Sequence, residues 1–237
     1  MEMGRPLFRL GKRLGLCASM VREGVSLADI GTDHGYLPIW LSLHGRISRG
    51  IAADIRPGPL CAAEKNIVRW KADKIITRLS DGLKEIQPDE ADDIVIAGMG
   101  GELIARIIRD ASWLKNREKH LILQPMTSFA ELRSFLLEEG YAILREEAVL
   151  EERRAYSVIL AVYDPEAVNS FPGYAHIGGI DASTQAGREY LKARAISLRK
   201  QAIGLRCQKE LEEADEIENI VSLIIERIEE GRKGEEM

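Results

Sequence analysis

Cysteines, grouped histidines and long apolar runs are all scarce in this 237-residue chain, and each shortage removes a class of protein. The three cysteines, Cys17, Cys61 and Cys207, are widely spaced and form no CxxC pair, so neither a disulfide framework nor a zinc ribbon is expected. His34, His44, His120 and His176 show no HxxxH or HxxH grouping, and no metal is expected. No stretch of ~18 apolar residues exists that could cross a bilayer, and the first 25 residues carry charges throughout, unlike a secretory leader. A soluble cytoplasmic protein is the expectation. With 45% of residues apolar and 30% charged, the chain is neither disordered nor of low complexity. Its length suits one domain plus an extension, or two small domains.

The net charge of −5 speaks against a nucleic-acid partner until its distribution is read. Residues 1–22 carry +4 and residues 188–209 carry +6, whereas residues 210–237 carry −8. Charge is therefore segregated along the chain, and two basic stretches flank an acidic middle.

Leu7, Leu10, Leu14, Cys17 and Val21 recur at helical steps and predict a helix over 7–22. Short apolar runs then alternate with helix-length segments. Strands are predicted at Leu27–Ile30, Gly50–Ile55, Lys74–Leu79, Asp93–Ala97 and His120–Leu123, with helices near 36–43, 57–70, 101–110 and 128–139. This is the βαβ pattern of a largely parallel sheet covered on both faces. Tyr141–Leu150 and Ala155–Tyr163 follow as a terminal hairpin, and the Pro- and Gly-bearing residues 164–183 read as a linker. From 184 to 231 the pattern is helical, with Leu191, Leu198 and Leu205 every seven residues and Ile217, Ile220, Ile224 and Ile228 at helix spacing. An antiparallel helical hairpin with a break within 204–214 is expected, and its helices are a candidate surface for self-association.

Candidate functional residues fall at successive strand ends. Asp29-Ile30-Gly31-Thr32-Asp33-His34-Gly35-Tyr36 occupies the turn after the first strand, where doubly wound sheets bind ligands. Gly31 and Gly35 permit a tight turn and close backbone approach. Asp33 stands where a GxGxxG dinucleotide loop has its second glycine. A carboxylate there repels pyrophosphate but suits a cofactor carrying a sulfonium and an ammonium, namely S-adenosylmethionine. Asp54, followed by Ile55, ends the second strand in the relation expected of a ribose-binding acid, although a helix-capping aspartate fits equally. Asp81-Gly82 could face an adenine or simply turn the chain. Ala97-Gly98-Met99-Gly100-Gly101 exposes backbone at the end of the fourth strand.

Together these segments resemble a known family. DIGTDHGYLP (29–38), DIRPGPL (54–60), RLSDGL (78–83), IAGMGG (96–101), LILQP (121–125) and RL at 13–14 are similar, in order and spacing, to the bacterial tRNA (adenine-N1)-methyltransferases that modify position 22. The resemblance covers about 7–163 and departs in the linker, where Phe171-Pro172-Gly173 is followed by Tyr174-Ala175-His176. It implies an α/β fold: a Rossmann-like class I methyltransferase sheet with an antiparallel terminal hairpin, plus a C-terminal α-helical hairpin or coiled coil. The implied division is a catalytic domain over 1–163, a linker over 164–183 and a helical extension over 184–237. Cofactor-binding candidates are Asp29, Gly31, Thr32, Asp33, His34, Asp54, Ile55, Asp81, Gly82, Ala97 and Gly98. Asp33, Tyr36 and Met99 are the catalytic candidates. Asp33 would face developing charge, while Tyr36 and Met99 would flank a flipped base. Gln124-Pro125 either contacts the base edge or turns the chain. Arg9, Lys12, Arg13, Lys192, Arg199 and Lys200 are the candidates for tRNA. A small-molecule methyltransferase, or a cofactor-binding scaffold that dimerises through its helices, would share the same motifs. A nicotinamide dehydrogenase is disfavoured by Asp33.

Overall fold

The computed structural model describes residues 8–167 and 170–233. Seven strands, β1 (Val25–Ile30), β2 (Ile47–Asp54), β3 (Ile75–Leu79), β4 (Asp93–Gly100), β5 (His120–Thr127), β6 (Tyr141–Glu151) and β7 (Arg154–Tyr163), form one sheet in the order β3-β2-β1-β4-β5-β7-β6. The first five are parallel; β7 inserts antiparallel between β5 and β6. Strand order reverses between β1 and β4, which opens a crevice at their carboxyl ends.

The central strands are near-continuous apolar runs because both faces are covered. Residues 26–30 of β1 are all buried. On one face lie α1 (Lys12–Met20), α2 (Tyr36–Leu43) and α3 (Pro57–Trp70), which bury Cys17, Leu37, Ile39 and Leu41 against Leu27, Val95 and Ile122. On the other lie α4 (Gly101–Asp110) and α5 (Phe129–Glu138). Ile104, Ile107 and Ile108 of α4 turn to the sheet at helical spacing, leaving Arg106 and Arg109 outside. Pro57 opens α3 at a position where its missing N–H costs nothing.

The first helix is shorter than its periodicity predicts. It starts at Lys12, so Leu10 precedes it, and Leu7 lies outside the described residues. The reason is a cap supplied from elsewhere: Glu151, at the end of β6, accepts a hydrogen bond from the Arg13 backbone N–H at 3.2 Å. β4 also runs three residues beyond its expected end, through Gly100, with two irregularities in its pairing with β5.

Beyond the sheet, residues 170–184 include a single helical turn, α6 (Tyr174–Ile177), and bury Ile177, Ile180 and Ala182. They pack with α7 (Gln185–Gln208) and α8 (Leu211–Lys233) into a third apolar cluster with Leu191, Leu198, Ile217, Val221, Ile224 and Ile228. The two long helices are antiparallel neighbours separated at Lys209, whose left-handed backbone (φ 68°) ends α7 inside the expected 204–214 window. Thr184 caps α7 by accepting from the Gly187 N–H at 3.0 Å.

One buried ionic network ties this arm to the sheet. The Arg133 guanidinium of α5 donates to Glu146 of β6, to the Ala175 carbonyl and to the Tyr190 hydroxyl of α7, while Glu146 also accepts the Gly179 N–H. Arg133 and Glu146 side chains are fully buried. Burial opposes the Arg133 charge, but the Glu146 carboxylate outweighs it and drives the guanidinium pKa upward.

Candidate functional site

The carboxyl ends of β1, β2 and β4 converge on an acidic crevice. Asp29, on β1, is 6% exposed and accepts a hydrogen bond from the Thr32 hydroxyl. Burial raises its carboxyl to about 6 despite that bond, and the neighbouring charges of Asp33 and Asp54 add to the rise. Gly31 (φ 72°) makes the turn, and the N–H groups of Gly31 and Thr32 both bond to the Ala53 carbonyl. Asp33 projects outward with its side chain 85% exposed, 3.3 Å from His34 Nε2. His34 itself holds a left-handed backbone (φ 60°), an arrangement stabilised by the Asn66 amide donating to its carbonyl.

Asp54, at the end of β2, is buried and accepts the Arg56 backbone N–H at 2.7 Å. Its second carboxylate oxygen has no donor among the described residues, while Ile55 beside it is exposed. Asp81 stands exposed after β3 in an ion pair with Lys84, which lowers its pKa through that hydrogen bond. Gly82 follows in a left-handed conformation packed beside Ile107. These residues are brought together along one edge of the sheet, as the sequence order predicts.

On the far side of the crevice, Gly98 (φ 81°) makes the β4 bulge and Met99 reaches back over the first loop. Met99 Cε occupies the space a Gly31 side chain would enter, and the left-handed backbone at Gly31 favours glycine there. Tyr36 is not packed under the sheet: as the first residue of α2 it stacks on His34 at 5.4 Å, touches Phe8, and remains partly exposed.

The cationic candidates divide. Arg9, Lys12, Arg199 and Lys200 are exposed and make no ion pair among the described residues. Lys192 is paired with Glu189 at 2.6 Å. Arg13 is drawn into the protein, where it donates to the Gln124 side-chain oxygen at 2.6 Å and lies 3.7 Å from Glu151. Gln124 is the site residue whose place the sequence left open. It is fully buried and also accepts the Gly98 N–H at 3.0 Å. Its signal was a lone amide in an otherwise apolar strand.

Among the described residues, no group of three or more His, Cys, Asp or Glu side chains is placed to hold a metal ion, and no helix is long and apolar enough to cross a membrane.

Comparison with known proteins agrees with this geometry. A family model described as a methyltransferase domain matches residues 10–159. The tRNA (adenine(22)-N(1))-methyltransferase of Bacillus subtilis is 38% identical over 154 residues, an alignment spanning 65% of this chain and 65% of that protein. The crystal structure of the B. subtilis m1A22 tRNA methyltransferase superposes with a TM-score of 0.83 at 28% identity, covering 92% of this chain and all of that one. Sp1610 of Streptococcus pneumoniae, assigned as a tRNA (m1A22) methyltransferase and solved with S-adenosyl-L-methionine, gives a TM-score of 0.76 at 30% identity over 93% of this chain and all of that one.

Proposed function

The chain belongs to the bacterial tRNA (adenine(22)-N1)-methyltransferases, a class I methyltransferase family, and we propose that it transfers a methyl group from S-adenosylmethionine to N1 of adenine 22 in tRNA. The observation that carries this reading is the crevice of three carboxylates at the switch point, with Asp29 buried and unmatched by any cation. Such a cradle fits a sulfonium, an ammonium and ribose hydroxyls, and repels a pyrophosphate. When bound, the cofactor supplies an electrophilic methyl group, so the protein's work is binding and orientation.

Asp29 and Asp33 complement the cofactor's positive charge, and the free oxygen of Asp54 suits a ribose hydroxyl. Gly31, Thr32, His34, Ile55, Asp81, Gly82, Ala97 and Gly98 complete the lining. Adenine N1 presents an in-plane lone pair in the neutral base, so no general base is required and positioning supplies most of the rate. The ring becomes cationic as N1 forms its bond, and the exposed Asp33 carboxylate favours that state over the neutral one. Tyr36, at the start of α2, and Met99, at the end of β4, offer an aromatic and an apolar face to a base taken out of its stack.

Affinity for RNA rests on the exposed Arg9, Lys12, Arg199 and Lys200. We read residues 1–163 as the catalytic domain, 164–183 as the connection and 184–237 as an arm of coiled-coil type that extends the RNA-binding face. The setting is cytoplasmic, where tRNA is matured. The test is incubation with methyl-labelled S-adenosylmethionine and unmodified tRNA, followed by mapping of the modified nucleotide. Label in 1-methyladenosine at position 22 is expected. Methylation of a small molecule without RNA, or cofactor binding with no transfer, would instead support the two rival readings.

A further inference from the structure

A bulge at the end of a strand leaves the extra residue's N–H without a ladder partner. At Gly98 that N–H is satisfied by a side chain, the Gln124 oxygen, at 3.0 Å. A buried amide can present oxygen or nitrogen in the same place, and the wrong orientation would set two donors against each other. Two contacts fix Gln124. Its nitrogen donates to the Pro125 carbonyl at 2.7 Å, and its oxygen accepts from Arg13 Nη1 at 2.6 Å. Arg13 always carries donors and never an acceptor, so its presence dictates that the amide oxygen faces Gly98. Arg13 is itself held by the Glu151 carboxylate at 3.7 Å and by the Tyr156 ring 5.9 Å from its guanidinium carbon.

We propose that Arg13 is a positioning residue for methyl transfer: through Gln124 it locks the Gly98 bulge, and the bulge aims Met99 across the crevice onto Gly31. This rests on the reading that the crevice holds S-adenosylmethionine and that its Gly98–Met99 rim receives the adenine. It moves Arg13 from the RNA-binding set, where its place in a basic stretch put it, to the construction of the site. The N-terminal helix is thereby a working part of the methyltransferase domain, since the cation it inserts reaches the end of β4.

The experiment compares wild type with Arg13→Met, Gln124→Leu and the double variant. For Arg13→Met, kcat is expected to fall at least tenfold while KM for tRNA changes less than threefold. The double variant should be no slower than the slower single variant, because both remove one linkage. An unchanged kcat with a raised KM for tRNA and a shallower salt slope would overturn the proposal and return Arg13 to phosphate contact. Arg13→Lys, which keeps a donor, should recover part of the rate; no recovery in a folded Arg13→Lys protein would also count against it. A second readout does not depend on turnover. Hydrogen exchange of the Gly98 amide, followed by NMR, should quicken at least tenfold in Arg13→Met with the overall spectrum retained, and an unchanged rate would contradict the relay. If wild type methylates no tRNA, the functional reading fails while Gly98 exchange still tests the relay.

Discussion

Two buried ionic sites in this molecule are built in opposite ways. At the junction of sheet and arm, Arg133 and Glu146 are both fully buried, and each is matched by the other and by further hydrogen bonds. At the crevice, Asp29 is nearly as buried, yet the group bonded to its side chain is the neutral Thr32 hydroxyl and its nearest charges are other carboxylates. A buried charge without a counter-charge is costly, and folding alone gives no reason to keep one. The charge at the junction is complete in the free protein; the one at the crevice, in the function we propose, is completed by the cationic cofactor.

The sharpest way to break this contrast is Asp29→Asn. It should weaken S-adenosylmethionine binding at least a hundredfold by calorimetry, and at the same time make the protein more stable at pH 8. The sign follows from the carboxyl pKa, raised to about 6 from 3.8 by burial. Stability from this group is fully present below about pH 4 and is lost as pH rises through 6, costing up to about 3 kcal/mol once the carboxylate is ionised. Asparagine keeps an acceptor for Thr32 and removes that cost. A variant that loses both stability and binding would show that Asp29 is structural after all.

The matching change at the junction should do the reverse. Arg133→Met leaves Glu146 buried without a counter-charge and should destabilise the protein by about 3–5 kcal/mol in denaturant unfolding. Adding Glu146→Gln should restore part of that loss, and cofactor affinity of the folded fraction should stay within about threefold of wild type. Asp33→Ala sharpens the contrast within the crevice. Because Asp33 is exposed, its loss should leave stability within about 0.5 kcal/mol of wild type while abolishing turnover at saturating cofactor. The smallest effect concerns the arm. Replacing Arg199 and Lys200 with alanine should reduce the salt slope of tRNA binding by about 1–2, and adding Lys192→Ala should change it little because that lysine is already paired with Glu189.

What the sequence displays depends on how local its causes are. The βαβ alternation, the terminal hairpin and the break between the long helices are written in short-range periodicity, and Lys209 falls within the anticipated window. That Asp29, Gly31 and Asp54 come together was legible because strand ends in this topology share one edge. The true start of α1 was not, since its cap comes from Glu151 on β6, 138 residues away in the chain. Arg13 counted as one more cation in a basic stretch, and only the fold reveals that Gln124 claims it. Arg133 likewise reads as a charged position on an amphipathic helix; its burial depends on Glu146, Tyr190 and Ala175 arriving from three other segments. The β4 bulge is invisible locally because glycines permit it without requiring it.

Calorimetric titration of the wild-type protein with S-adenosylmethionine between pH 5 and pH 7.5 decides whether the unpaired crevice carboxylate serves a cationic cofactor. With the free carboxyl at about 6, roughly a tenth of Asp29 is ionised at pH 5, so affinity should fall about tenfold as the pH is lowered from 7.5 to 5. NAD, titrated alongside, should show no binding. An affinity for S-adenosylmethionine that does not change with pH, or tight binding of the dinucleotide, would contradict the account.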